Sequence, residues 1–181
     1  MSNKRFTSVI RQIPGGFFTE GEHLTVIESA TDDLARQTKE FSDRTPQVKV
    51  TFRNDKGVLS HWYNLKGFVK LNKEENPKMV APKGQEYVQA TDEAGNGVGE
   101  FYLIDSKSRA RIEDKDATEI AKSIFAGIAG DAGIKAGESF DLEDLKGKSI
   151  GIKVRNRIDG RGPEVQYTML ASKVKVELLA D

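Results

Sequence analysis

One stretch, QVKVTFRNDKGVLSHWYNLKGFVKL at residues 47–71, constrains the fold more than any other part of the sequence. Apolar and polar residues alternate through its first half, and a period of two places them on opposite faces of a β-strand. Residues 54–57 (NDKG) have the composition of a tight turn, after which the chain returns as a partner strand. The stretch predicts a hairpin with one apolar and one mainly basic face. The apolar set is Val48, Val50 and Phe52, and the polar set is Lys49, Thr51 and Arg53.

A second alternating segment, SIGIKVRNR at 149–157, predicts another strand with a basic face. A turn at 159–163 leads to a return strand, on which Val165, Tyr167 and Met169 are expected to share one face. A final strand is predicted over 174–178. LTVIE (24–28) and EFYLID (100–105) complete the strand candidates.

Only one segment has convincing helical spacing, and it predicts an amphipathic helix at about 116–130. Asp116 is the expected N-cap, with Glu119 completing a capping box, and Gly130 or Gly133 is expected to end the helix. The apolar stripe is expected to be core. It consists of Ala117, Ile120, Ala121, Ile124, Phe125 and Ile128.

Six or more short strands with one helix predict a mainly β protein, a small closed or nearly closed barrel of antiparallel strands with long loops. The 181 residues suffice for a single domain over 1–181. Residues 72–99 are rich in polar residues, proline and glycine, and they predict a long surface loop. That loop either folds over a bound strand or moves in solvent, and the sequence leaves both open.

Charge and composition narrow the function classes. The formal net charge is zero, with 28 basic and 28 acidic residues, but the charge is unevenly distributed. No apolar run approaches the roughly 20 residues that cross a bilayer. The sequence has no cysteine and no secretory signal pattern, so a cytoplasmic protein without membrane contact is expected. Between residues 146 and 161 the one acid is Asp159, and the basic residues are Lys146, Lys148, Lys153, Arg155, Arg157 and Arg161.

The triplet Gly147-Lys148-Ser149 has the ending of a nucleotide-binding phosphate loop, but it fails both structural requirements of that motif. Leu142 stands where the first glycine should be, and a strand pattern follows where a helix should begin. His23 and His61 lack the spacing of metal ligands, and no catalytic triad is marked. The sequence therefore predicts no enzyme, no metal and no cofactor.

Basic residues and aromatic rings on the two strand pairs suggest binding of single-stranded nucleic acid. Cations follow the phosphates, and rings stack on bases at roughly 1–3 kcal/mol each. Only one of Trp62 and Tyr63 is exposed if the strand is regular, and the sequence leaves open which one. Phe52 and Phe68 are expected in the core. The candidate binding residues are Lys49, Arg53, Trp62, Tyr63, Lys66, Lys153, Arg155, Arg157, Arg161 and Tyr167.

Two long stretches also carry a family resemblance. Residues 128–157 combine the end of a helix rich in small residues, the run FDLEDLKGK and a basic strand, and EVQYTMLASKV follows. Residues 37–68 place a proline before the alternating hairpin. Both stretches resemble phage-encoded single-stranded DNA-binding proteins, which have an OB-type barrel.

The resemblance implies an OB-like barrel and a noncatalytic protein that coats transient single strands during DNA replication or recombination. It implies action in the cytoplasm of an infected bacterium, with replication or recombination proteins as partners. Preference for DNA over RNA and assembly into a homo-oligomer stay open. Two other functions also stay open, namely a structural β-barrel protein of a virion or assembly complex and an enzyme that cuts nucleic acid with a metal held by clustered acids.

Overall fold

The computed structural model describes residues 18–71, 81–158 and 160–175. These residues are mainly β, as predicted, and form two antiparallel sheets. The strands are β1 (Gly21–Leu34), β2 (Pro46–Arg53), β3 (Val58–Asn64), β4 (Lys70–Leu71), β5 (Gln85–Thr91), β6 (Gly97–Asp105), β7 (Ser149–Asn156) and β8 (Pro163–Met169). The helices are α1 (Lys115–Asp131), the short α2 (Leu142–Leu145) and a 3-10 turn at Ala171–Lys173.

The described residues divide into two compact units. The first contains residues 18–31, 49–63 and 126–175, and the second contains 32–48 and 64–125. The larger sheet has the order β3-β2-β1-β7-β8, and the smaller has the order β4-β6-β5. Within these ranges no closed barrel is found. The single domain over 1–181 stays a prediction.

The first hairpin forms where the alternation predicts it. Asn54 begins the turn, because its side-chain oxygen accepts the backbone N–H groups of Lys56 and Gly57. Phe52 is fully buried and Arg53 is not, as a period of two requires. The core of the first unit is built from the inward side chains of its sheet and from the two helices. It includes Ile27, Val50, Phe52, Ile128, Leu145, Ile150, Ile152 and Val154.

A β-bulge between β7 and β8 overturns one sequence prediction. Lys153 lies opposite Tyr167, but its neighbour Val154 lies opposite Val165, so Gln166 is the extra residue. Val165 is therefore buried, whereas Tyr167 turns to the opposite face of the sheet. The prediction that the two share a face is wrong, because it assumed a regular strand.

Helix α1 lies where its spacing predicts it, but its cap and its apolar stripe differ from expectation. Asp114, not Asp116, is the cap, since its side-chain oxygen accepts the N–H groups of Asp116 and Ala117. Ile120 and Ile124 are 63% and 57% exposed, so they are not core. At the other end Gly133 has φ +95°, and the next N–H, of Ile134, returns to the carbonyl of Ala129. That glycine ends the helix, as one of the two predicted positions.

The second unit includes a hairpin within the predicted loop at 72–99. Strands β5 and β6 pair across a turn in which Asp92 accepts the N–H groups of Ala94 and Asn96. The loop prediction is therefore wrong for residues 85–91 and 97–99. Residues 72–80 lie outside the described residues, as does most of the strand predicted at 174–178.

Arg111 organises the core of the second unit. Its guanidinium lies 3.9 Å from the ring centre of Phe68 and 5.3 Å from that of Tyr102, and it pairs with Asp43 at 3.0 Å. Burial, followed by the hydrogen bond to Glu100, raises the pKa of Tyr102 to about 12. None of the helices in the described ranges is long and apolar enough to cross a membrane.

Candidate nucleic-acid interface

The solvent side of the five-stranded sheet, within the first unit, carries the candidate site. We call it the outer face. On β2 and β3 it is defined by two contacts between neighbouring strands. The hydroxyls of Thr51 and Ser60 are 2.9 Å apart, and Nζ of Lys49 lies 5.3 Å from the ring centre of Trp62. Lys49, Thr51, Ser60 and Trp62 therefore share this face, on which Thr51 is buried, and the buried apolar residues of the same strands lie opposite.

Trp62 and Tyr63 separate as a regular strand requires, and the structure decides which is exposed. Trp62 is 43% exposed on the outer face, whereas Tyr63 is only 8% exposed and faces the core. Burial, aided by the charge of Asp131, raises the pKa of the Tyr63 phenol. Tyr63 stays neutral and inaccessible, so it is not available to stack on a base from solution.

His61 also faces inward, next to Tyr63, with 4.5 Å between the ring centres. Burial lowers the pKa of His61, an effect opposed by the nearby carboxylate of Glu164 and reinforced by Arg157. These surroundings disfavour the charged imidazolium. In the first unit the imidazole packs against the ring of Tyr63.

Strand β1 crosses the centre of the outer face and is unexpectedly apolar there. Leu24 and Val26 are about half exposed. Glu28, two residues further on, accepts a 2.8 Å hydrogen bond from Nε of Arg53. Arg53 therefore lies on the predicted face, but part of its charge is neutralised by a carboxylate that sequence reasoning did not single out.

Strands β7 and β8 contribute a second aromatic residue and a second lysine. Lys153 lies directly opposite Glu22 on one side and Tyr167 on the other, and residues opposite one another share a face. Tyr167 is 51% exposed. In the part of the chain that the structure describes, Lys49 and Lys153 form no salt bridge.

The arginines at the end of β7 differ from these lysines. Arg155 and Arg157 both pair with Glu164 of β8, at 2.8 Å and 3.4 Å. One carboxylate therefore holds two of the predicted phosphate contacts. Arg161 lies in the turn that joins β7 to β8 and has interactions of its own.

The remaining predicted residue, Lys66, belongs to the second unit. Its Nζ lies 5.6 Å from the ring centre of Phe68, a buried residue as predicted. The outer face is defined by residues of the first unit alone, and Lys66 is not part of that definition.

The Gly-Lys-Ser triplet is a turn into a strand. Gly147, with φ +84°, donates its N–H to the carbonyl of Ile27 at 2.8 Å. The N–H of Ile27 donates in return to Lys148, and Ser149 begins β7. The backbone amide of Gly147 is thus used by β1, whereas a phosphate loop would keep it for a ligand.

Sequence reasoning missed four outer-face residues, namely Leu24, Val26, Glu28 and Glu164. The segment LTVIE shows little contrast between its faces, because Leu24 and Val26 alternate with Thr25 and Ile27. The ion pairs of Glu164 did have a signal in the sequence, because this acid lies on the strand that pairs with the basic strand β7. That pairing becomes visible only when the register is known.

Among the residues described, no three His, Asp or Glu side chains cluster as a metal site would require. No protein-family model matches the chain. No curated protein matches it either.

Proposed function

We propose that this protein binds single-stranded nucleic acid on the outer face, without catalysing a reaction on it. One observation carries the proposal: Trp62 is 43% exposed with the ammonium of Lys49 over its ring. An exposed tryptophan offers a flat surface on which any base stacks, and the adjacent lysine supplies charge for the phosphate.

A second aromatic and lysine pair supports the same function. Tyr167 and Lys153 lie on the same outer face as Trp62 and Lys49, on the other side of β1. Tyr167 is level with Glu22 near one end of β1, and the Lys49–Trp62 pair lies beyond Glu28 towards the other end, so the two pairs are separated along the strands as well as across them. A single nucleic-acid strand engages both pairs by crossing the outer face diagonally.

The number of strands in the larger sheet supports proposing the OB-like barrel that the sequence resemblance implies, although no closed barrel is found in the described residues. An OB barrel has five strands and binds oligonucleotides on the face of its second and third strands. The larger sheet also has five strands, and its second and third, β2 and β3, carry Lys49, Arg53 and Trp62. We include in the proposal an OB-like barrel formed by this sheet and a preference for DNA.

The resemblance to phage-encoded single-stranded DNA-binding proteins extends the proposal to a biological setting. The protein would protect transient single strands during replication or recombination in an infected bacterium and meet other proteins of those processes. Its binding would be of modest affinity, because carboxylates already neutralise part of the basic charge. Glu28 holds Arg53, and Glu164 holds Arg155 and Arg157.

Titration of a fluorescently labelled oligo-dT, followed by anisotropy at low and high salt, tests the proposed function. We expect saturable binding at micromolar protein that weakens steeply with salt, because bound cations release counterions from the phosphates. The labelled strand is expected to stay intact in Mg²⁺ or Mn²⁺. Absence of salt-sensitive binding contradicts the proposal, and cleavage replaces it with an enzymatic function.

A structural role in an assembly is the second candidate, and the exposed pair Ile120 and Ile124 on α1 favours it. Large apolar side chains one helical turn apart are a common protein contact. Size-exclusion chromatography separates the two functions. A large, fixed oligomer that ignores DNA favours assembly, whereas a species that shifts on adding oligo-dT favours nucleic-acid binding.

A further inference from the structure

A shallow groove of about 430 Å³ opens on the outer face beside β1. Its volume falls in the range of roughly 300–1,000 Å³ in which proteins hold small ligands. Its lining is mostly apolar and lies entirely in the first unit. The lining side chains and backbone belong to Val26, Ile27, Glu28, Arg53, Asn54, Lys146 and Gly147.

Two local features, one on each side, shape the groove. On one side, the Asn54 side chain donates to the carbonyl of Leu24, which ties the hairpin turn to β1. On the other side, Gly147 has no side chain, and nothing lies within 4 Å of where a Cβ would stand. Val26, 42% exposed, forms part of the apolar lining between them.

Charges flank this apolar surface. Lys146 is exposed at one rim and forms no salt bridge with any residue that the structure describes. At the other rim, the Glu28–Arg53 pair presents a hydrogen-bond acceptor and donors side by side. A nucleotide has the matching parts, namely a flat base with polar edges and an attached phosphate.

We propose that this groove holds one base of the bound strand, with Lys146 on the adjoining phosphate. The inference rests on the proposed function and adds to it a position between the two aromatic residues. A second copy of this chain is a less suitable occupant. A stable protein interface needs about 800 Å² on each partner, far more than a slot of this size offers.

Substitution of Val26 by alanine, with the binding of two ligands compared, tests whether the groove holds a base. The ligands are oligo-dT and a fully abasic strand of the same length, which keeps the phosphates but has no bases. We expect Val26→Ala to weaken oligo-dT binding about fivefold, because apolar contact with the base is lost. Affinity for the abasic strand should not change.

Val98→Ala is the matched control, since Val98 is also a strand valine and is 44% exposed, in the second unit. It should change neither affinity. Thermal unfolding checks that each variant is folded. If Val26→Ala does not fold, Val26→Thr keeps the branched shape and takes its place, with a polar hydroxyl against the base.

Lys146→Ala tests the phosphate contact separately. Removing one contact to a single strand should reduce the slope of log affinity against log salt by about 0.7, for oligo-dT and for the abasic strand alike. An unchanged slope shows that Lys146 touches no phosphate and overturns that part of the proposal.

The outcomes also distinguish failure of base binding in the groove from failure of the proposed nucleic-acid binding as a whole. If the wild type binds oligo-dT and Val26→Ala binds it equally well, the groove does not hold a base. The same conclusion follows if Val26→Ala loses affinity equally for oligo-dT and the abasic strand. Either result leaves the proposed function standing. No binding of either ligand by the wild type overturns both. If Val26→Ala changes the oligomeric state and leaves the affinity for DNA unchanged, the groove is a protein contact and does not hold a base.

Discussion

The two sides of the outer face use basic residues in opposite ways. Beside β3, Lys49 lies over the ring of Trp62 and has no carboxylate partner in the described ranges. Beside β8, Arg155 and Arg157 share Glu164. Along the sequence the two groups look alike, since both alternate with apolar residues. In the fold, one offers charge to a ligand and the other is already paired.

Because of this difference, a basic residue on a strand does not by itself indicate a phosphate contact. A phosphate must displace Glu164 to reach Arg155 or Arg157, and exposed ion pairs are each worth about 0–1 kcal/mol. No such competition applies at Lys49. Binding should therefore depend most on the residues near Trp62 and least on the arginines that are most conspicuous in the sequence.

The largest effect is expected from Trp62→Ala. Loss of one stacked base costs roughly 1–3 kcal/mol, or about 5- to 150-fold in affinity for oligo-dT. Stability should change little, because the ring is nearly half exposed. Anisotropy titration with a thermal unfolding control measures both. Trp62→Phe, which keeps a ring, should recover most of the affinity, and equal losses in both variants contradict stacking.

The next effect is expected from Lys49→Ala combined with Lys153→Ala. If each lysine contacts one phosphate, the slope of log affinity against log salt falls by roughly 1.4 in the double variant. Lys122→Ala on α1 is the control, since this exposed lysine lies in the second unit. A slope that is the same in both variants places the phosphates away from the outer face.

A smaller effect, of opposite sign, is expected from Glu164→Gln. Neutralising this carboxylate frees Arg155 and Arg157, so affinity for oligo-dT should rise by up to about fivefold. Changing both arginines to alanine should weaken binding less than changing the two lysines. If the arginine variant is the weaker binder, the comparison between the two sides is wrong.

The smallest effect concerns stability. Burial depresses the pKa of His61 in the folded protein, whereas an unfolded chain has the ordinary value of about 6.5. Below that pH the unfolded state binds the proton and the folded state resists it, so the contribution of His61 is present above pH 6.5 and is lost as the pH falls. Urea unfolding at pH 7.5 and 5.5 measures the loss.

His61→Gln, which does not titrate there, should show a weaker dependence on pH over this interval. The same dependence in both proteins indicates that other groups cause it. Affinity for DNA should change little in His61→Gln, because this side chain faces the core while its neighbour Trp62 faces solvent. A large loss of affinity removes the distinction between the two faces.

The sequence predicts local structure well where one face of an element is buried. The hairpin of β2 and β3, strand β7 and the position of α1 all follow from periodicity. The same rule fails at Tyr167, because one extra residue in β8 reverses the side to which each later side chain points. It also fails for Ile120 and Ile124, where helical spacing predicts a buried stripe and the structure leaves both exposed.

The sequence predicted several residues of the candidate site, but not which of their charges are already paired with carboxylates. Lys49, Arg53, Trp62, Lys153 and Tyr167 lie on the outer face, and the exclusion of Tyr63 follows from the choice between two neighbours. The ion pairs of Glu28 and Glu164 were not predictable, since 25 and 9 residues separate the partners and only strand register brings them together. The groove beside β1 depends on the same long-range pairing.

The intrinsic fluorescence of the protein tests the central claim most directly, because Trp62 is its one tryptophan. Oligo-dT is titrated into the unlabelled protein while tryptophan emission is followed, and salt is then added. Base stacking on Trp62 predicts a saturable change in emission that salt reverses. Strand binding detected by anisotropy, with tryptophan emission unchanged at saturation, would contradict the account.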